Sequence, residues 1–577
     1  MKTIVGYLRG FKKETILGPF FKWLEAVFEL LQPLLMAQII DVGIANNDTA
    51  FILRYGLYMA ILAVVGYICS VICQYFAARA SQGYGTVVRN SLFAHINRLS
   101  VGQVRQFGAS SLTTRMTNDV NQLQLAVAML IRLVVRAPFI IIGATVLAFF
   151  IDATTAIIFV VIIPLIVVVL YVVMSRSVPF YTVIQQKVDG LSRITRENLS
   201  GIRVIRAFAK QREAADKFIE ASSDVRDTSI RVGKISAWLN PLTYLILNFG
   251  IIAVLWYGGM QVNIGNLAQG EVIALVSYMT QILLALIVVA NLVIIFTRSY
   301  ASSLRVAEVL NTPPSITEAG GVPDSVIKNS PEKVRFEQVS FGFDDAREPV
   351  LRDVNFSLDA GKTLGIIGGT GAGKSTLVQL LPRFFDVTQG AVLINGIDVR
   401  EYQFAALRGL VNVIPQRAVV FTGTIAENLR FGNAAATDEE LWQALEIAQA
   451  RDFVERMEAG LDTMIYQGGK NLSGGQRQRL TIARALVSEP DILVFDDSSS
   501  ALDVATDKAL RSAIAEQLGG TTVIVVSQRI NAIRHADSIL VLEKGQVVAQ
   551  GDHEQLLATS KVYREIAASQ LPETEAV

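Results

Sequence analysis

Six stretches in the first half of the chain are long and apolar enough to cross a bilayer, and the second half holds none. They lie at roughly 16–40, 52–78, 130–151, 154–175, 240–261 and 271–297, and no comparable run follows Arg298. A spanning helix needs about 20 mostly apolar residues. Helices are the solution open to such runs, because lipid offers no partner to a free backbone N–H or C=O. Composition agrees: of the 577 residues 51% are hydrophobic and 18% charged, against about 25% charged in a typical soluble protein. The formal net charge of +1 gives no basic surface for nucleic acid.

The second half alternates short apolar strands with amphipathic helices and glycine turns, the pattern of a soluble α/β domain. The expected division is therefore a six-helix membrane domain over 1–310, a Pro/Gly/Ser-rich linker over 311–332 and an α/β domain over 333–577. Lys and Arg concentrate in 79–115 and 176–217, while the short loops near 41–48, 151–153 and 262–270 carry neither. By the positive-inside bias this places both termini in the cytoplasm of a multi-pass cell-membrane protein. The two basic stretches are too long for simple loops and read as helices running on past the bilayer. The basic N-terminus reads as an amphipathic lead-in, with no A-x-A-like cleavage site. The terminal QLPETEAV contains a sortase-like LPET, but no Gly and no following apolar tail, and reads as a disordered end.

Polar residues in the spans have two readings. Glu25 and Glu29 share a helical face, as do Arg132 and Arg136. They either line a cavity or pair and snorkel near the cytoplasmic end. Gln38, Gln281 and Asn291 are weaker signs of a polar path. Cys69 and Cys73, four apart in an apolar run, read as small hydrophobes. The three histidines, His95, His535 and His553, are scattered.

After the strand-like TLGII comes Gly368-Gly369-Thr370-Gly371-Ala372-Gly373-Lys374-Ser375-Thr376, which fits G-x-x-x-x-G-K-[ST] before a helical TLVQLL. That strand–loop–helix context is what a P-loop requires. Its glycines let backbone N–H groups curl around phosphates, and the helix start adds partial positive charge. Lys374 would reach the β- and γ-phosphates and Ser375 would bind Mg²⁺. The apolar run ILVF ends in Asp496, a carboxylate at the C-terminal end of a buried strand, where α/β sheets hold ligands. Ahead of it lies LSGGQ, with Ser473, Gly474, Gly475 and Gln476 opening a helix.

These motifs resemble the ATP-binding cassette family, and with the six spans the whole chain resembles its exporter-type half-transporters. The resemblance implies ATP and Mg²⁺ as cofactors. It implies that Phe343 stacks on adenine, that Gln416 is the Q-loop glutamine touching Mg²⁺, and that Ser473, Gly474 and Gly475 form the signature loop. Ser500 to Asp503 (SALD) matches the D-loop. TTRMTNDV (113–120) and ENLSGIRVIRAF (197–208) look like the two cytoplasmic loops whose short helices couple to cassettes.

Two positions depart from the family pattern. The residue after the Walker B aspartate, usually a glutamate serving as general base, is Asp497. One methylene less withdraws the carboxylate by roughly a C–C bond, and a misplacement near 1 Å costs about 10²-fold in rate. The switch histidine is replaced by Gln528, which donates a hydrogen bond but carries no positive charge. Gln467 in YQGGK, where many exporters have glutamate, is a lesser departure. The family builds each ATP site between two chains. The expectation is thus a heterodimer with a second half-transporter that has an intact catalytic Glu and switch His. The present Walker motifs would form a slow site while LSGGQ completes the partner's fast one. The alternatives are a homodimer with Asp as a weaker base, and an ATP-gated channel or regulatory subunit. The implied cargo is a small hydrophobic or amphipathic compound, such as a drug or lipid, exported across the lipid bilayer.

Overall fold

The computed structural model describes residues 6–318, 321, 330–343, 348–498 and 502–570. Linker residues 319–320 and 322–329, the D-loop residues Ser500 and Ala501, the LPET segment and the first five residues of the lead-in lie outside the described residues. The chain forms two compact units, one of 1–98 and 107–313, the other of 99–106 and 314–577.

Among the described residues of the first unit, six helices are long and apolar enough to span a membrane: Tyr7–Ile44, Thr49–Ile96, Ala109–Ile151, Ala153–Ser200, Gln211–Ile264 and Gln269–Asn311. Each contains one of the six apolar stretches and overruns it. The second and fourth are 48 residues long, about 70 Å at 1.5 Å per residue, more than twice the roughly 30 Å hydrocarbon core. The basic stretches are therefore largely helix, as their length implied. Large apolar side chains such as Leu53, Phe150 and Trp256 point outward. In a protein surrounded by lipid they need no protein cover. The inner core joins Leu30, Ala144, Phe159, Leu247, Tyr278 and Leu283. The Tyr278 hydroxyl donates to the Leu30 carbonyl at 2.7 Å, tying the sixth span to the first.

Glu25 and Glu29 of the first span each have a basic partner. Lys22 meets Glu25 at 2.7 Å on the first span, and Arg136 of the third meets Glu29 at 2.7 Å. This is the pairing reading, and it joins the first span to the third. Arg132 has no ion-pair partner among the described residues and sits in a π-helical turn, Leu130–Val134. Two further π turns interrupt the spans at Ile39–Ile44 and Arg115–Asp119. Cys69 and Cys73 are both buried and make no disulfide.

One expectation is corrected. TTRMTNDV is not a separate coupling helix: it lies inside the third long helix, where Asp119 accepts hydrogen bonds from Ser302 at 2.9 Å and from Arg305. The separate short helix is Val101–Phe107, and 99–106 belongs to the second unit. Ser100 and Gln103 cap its start reciprocally, at 3.1 and 3.3 Å. Gly108, at φ +77°, breaks it from the helix that follows. The other loop does contain a short helix, Ile202–Ala207.

Among the described residues of the second unit, the main sheet has six strands in the order Gln546–Gly551, Ser538–Glu543, Thr363–Gly368, Thr522–Val526, Ile492–Asp496, Val411–Ile414. All but the first are parallel to their neighbours. In register, Val526 lies opposite both Asp496 and Ile366. The C-terminal ends of three strands therefore open on one edge, the edge that holds ligands in such sheets. Ile492–Asp496 is buried throughout, which explains its unbroken apolar reading. A second, antiparallel sheet orders Leu351–Asp359, Glu332–Phe341, Gln389–Ile394 and Ile397–Asp398.

Candidate nucleotide site

The P-loop leaves the sheet edge at Gly368 and turns into the helix Lys374–Gln379. Gly368 cannot be anything larger, because a Cβ there would collide with the Leu542 carbonyl oxygen. Gly371 and Gly373 adopt φ of +81° and +97°, the left-handed region that glycine enters without steric cost. Gly369 and Gly371 have open space where a side chain would be, so their backbone faces stay bare. Ala372 is buried, Thr370 exposed and Thr376 half-buried.

Lys374 is buried, and its Nζ donates to the carbonyls of Gly368 and Gly369 at 2.8 and 2.9 Å. Burial pushes its pKa below the usual lysine value, opposed by the charges of Asp497 and Asp496. The ammonium thus sits inside the loop it would share with phosphates. Ser375 Oγ donates to Asp496 Oδ1 at 2.7 Å. A hydroxyl and a carboxylate side by side are hard oxygen donors of the kind Mg²⁺ takes, so these residues fit the ion. Burial, followed by the neighbouring charge of Asp497, raises the Asp496 pKa, against the Ser375 hydrogen bond and Lys374.

Asp497 follows the strand with φ +48°. Its N–H donates to the Val526 carbonyl at 2.9 Å, and its Oδ2 accepts from Gln416 Nε2 at 3.0 Å. Burial raises its pKa, against Lys374, Arg529 and the Gln416 hydrogen bond. The structure therefore brings Lys374, Ser375, Asp496, Asp497 and Gln416 to one place. Arg529 was missed in the sequence: it is near enough for its charge to act on Asp497, but no motif position marks it. Gln528 is exposed beside it.

Two groups of expected residues stand apart. Phe343 packs edge-on against Phe341 and Phe385, with centroids 5.0 and 5.4 Å away. Ser473 to Gln476 make no hydrogen bond or ion pair with the P-loop among the described residues. Instead they open the helix Gly474–Leu486 with a capping box: Gln476 N–H donates to Ser473 Oγ at 3.2 Å, and Ser473 N–H to Gln476 Oε1 at 2.8 Å. The hydroxyl is fixed, while Gly474 leaves open space where a side chain would stand.

A P-loop lysine and a Ser–Asp pair thus stand at the sheet edge, with the signature turn formed separately. Comparison with known proteins places the chain in a family. The family described as ABC transporter transmembrane region matches residues 15–301, and the ABC transporter family matches 351–500. An uncharacterized ABC transporter ATP-binding protein of Mycobacterium tuberculosis is 37% identical over 570 residues, 98% of this chain and 97% of the relative. The chain belongs to the ABC transporter family. The ABC transporter ATP-binding protein YfiB of Bacillus subtilis is 35% identical, covering 95% of this chain and 94% of its own. An ATP-dependent lipid A-core flippase of Syntrophus aciditrophicus is 30% identical, covering 87% and 83%. The fold matches a bacterial Atm1-family ABC exporter with ATP bound, at TM-score 0.82 and 22% identity over 97% of this chain and 99% of that one.

As an exporter-type ABC half-transporter, the chain is a multi-pass membrane protein that functions as a dimer and couples ATP hydrolysis to transport. Its cassette binds ATP, with Mg²⁺ as the accompanying ion. When bound, Mg²⁺ neutralises developing charge on the phosphates. The chain's own part is positional: Lys374 and the loop N–H groups would hold phosphate, Ser375 and Asp496 would offer oxygen donors to the ion, and Gln416 and Asp497 lie beside them.

Proposed function

We propose that this chain is the degenerate-site subunit of a heterodimeric exporter, and that its partner carries the catalytic glutamate and switch histidine. The observation that carries this is Asp497. A glutamate there would serve as base for the attacking water. The aspartate is one methylene shorter and already engaged by Gln416 at 3.0 Å. Gln528 adds no charge to replace a switch histidine. The signature turn keeps its serine cap and is fit to serve the partner's nucleotide. ATP would bind the closed pair more tightly than the open one, and hydrolysis beside the partner's glutamate would reset it.

The remaining assignments belong to the same reading. The membrane domain is 1–310, the linker 311–332 and the cassette 333–577, with both termini cytoplasmic. Phe343 would meet adenine. The cargo is a small amphipathic molecule: the apolar spans with internally paired charges suit one, and the likeness to lipid A-core flippases supports a lipid. The test is ATPase activity of the chain purified alone in lipid. Turnover near background is the expected result. Robust turnover that Asp497→Asn abolishes would make Asp497 a working base and the protein a homodimer.

A further inference from the structure

A glutamine at the end of the described chain grips the loop that carries the switch position. Gln570 Oε1 accepts from the Ile530 N–H at 3.0 Å, and its Nε2 donates to the Gln528 carbonyl at 2.8 Å. One carboxamide thus spans Gln528 to Ile530 and brackets Arg529. Ile530 opens the helix Ile530–Ile533, so its N–H is one of the first-turn donors that a helix cannot satisfy itself.

Both sides of this contact are anchored. Gln570 follows the helix Lys561–Ala568 and donates its own N–H to the Ala567 carbonyl at 3.0 Å. Tyr563 and Ala567 of that helix are buried in one cluster with Ile530 and Ile533. The Tyr563 hydroxyl and His553 Nδ1 are 2.7 Å apart. On the loop, Ser527 is buried, donates its N–H to the Ile366 carbonyl at 3.1 Å, and accepts the Arg529 N–H on its Oγ at 3.0 Å. Between the two anchors the side chains of Gln528 and Arg529 are exposed. The Arg529 charge reaches Asp497. The backbone is held while the polar side chains stay available to a ligand at the sheet edge.

We propose that Gln570 is a positioning residue of the nucleotide site, fixing the loop that presents Gln528 and Arg529 to the γ-phosphate end of ATP. It touches no nucleotide itself. Because ADP lacks that phosphate, the effect of losing Gln570 falls on ATP and spares ADP.

The test is equilibrium binding of ATP and of ADP, each with Mg²⁺, to the full-length chain in lipid nanodiscs. Gln570→Ala should weaken ATP about five- to tenfold, the size of one or two net hydrogen bonds, with ADP binding unchanged. Gln570→Glu keeps an acceptor for Ile530 but sets a carboxylate oxygen against the Gln528 carbonyl, and should show the same contrast. Both variants should still unfold in one cooperative transition, with a midpoint only a few degrees below the parent's. Equal weakening of ATP and ADP would make Gln570 a general structural residue and overturn the proposal. So would parental ATP affinity in either variant.

Discussion

In the membrane half, Glu29 closes on Arg136 and Lys22 on Glu25, each at 2.7 Å. In the cassette, Lys374 is held by carbonyls of its own loop, and Ser375 and Asp496 hold each other. The first set of charges is spent on the fold, because an unpaired charge in lipid is costly. The second is held provisionally by groups that a phosphate and its metal would replace. A buried polar residue thus means different things in the two halves. What separates them is whether its partner is an opposite charge that balances it or a neutral carbonyl or hydroxyl that a ligand would displace.

The largest expected consequence is at Lys374. Lys374→Ala should weaken ATP binding by about 100-fold, since hydrogen bonds to charged groups contribute roughly 1.5–3 kcal/mol each. It should leave unfolding of the membrane half unchanged. Nucleotide titration with a parallel unfolding curve checks both, and a drop in stability without a drop in affinity would erase the distinction. Next is the membrane pair. Arg136→Ala should destabilise the membrane half by about 2 kcal/mol, less than the 3–5 kcal/mol of a fully buried pair, because the two side chains are 26% and 34% exposed. Glu29→Ala with Arg136→Ala should recover most of that loss in a denaturation series. A double variant as unstable as the sum of the singles would show that the two residues act independently.

A third, smaller effect depends on pH. Burial raises the Asp496 pKa, so on acidification its carboxylate takes a proton at a higher pH than an exposed aspartate. Mg²⁺ competes with that proton. Mg²⁺-dependent ATP affinity should therefore fall as pH drops, with onset above the ordinary aspartate value of about 3.9. Asp496→Asn should remove the pH-dependent component along with much of the Mg²⁺ dependence. Smallest is Ser473→Ala, which removes the side-chain acceptor at the start of Gly474–Leu486 and should cost the cassette about 1 kcal/mol, read from its thermal midpoint.

The sequence made the spans and the phosphate loop readable because each rests on local chemistry: long apolar runs, or glycines beside a lysine. Helix extensions were readable where long basic stretches marked them: these pointed to helices running past the bilayer, and the second and fourth do run on to Ile96 and Ser200, whereas the end at Asn311 had no such signal. The first coupling segment was misplaced because TTRMTNDV looked like an exposed polar loop, while its Asp119 is buried against Arg305 and Ser302 from nearly two hundred residues away. The Ser100–Gln103 cap and Gly108 were the local signals that mark the actual short helix. The Gln570 contact had no such signal. It depends on the C-terminal helix packing back on Ile530, a pairing that only the fold brings about.

The three π turns in the spans each hold one residue more than an α-helical turn would. That surplus gives these helices slack. If the turn at Leu130–Val134 tightened to α geometry, everything beyond it would swivel by about 100° about the axis, carrying Arg136 away from Glu29. Deleting one residue there would remove the surplus and leave the helix beyond in its present register, whereas closing the turn with that residue kept would re-aim the inner side chains; the slack of this span is one amino acid.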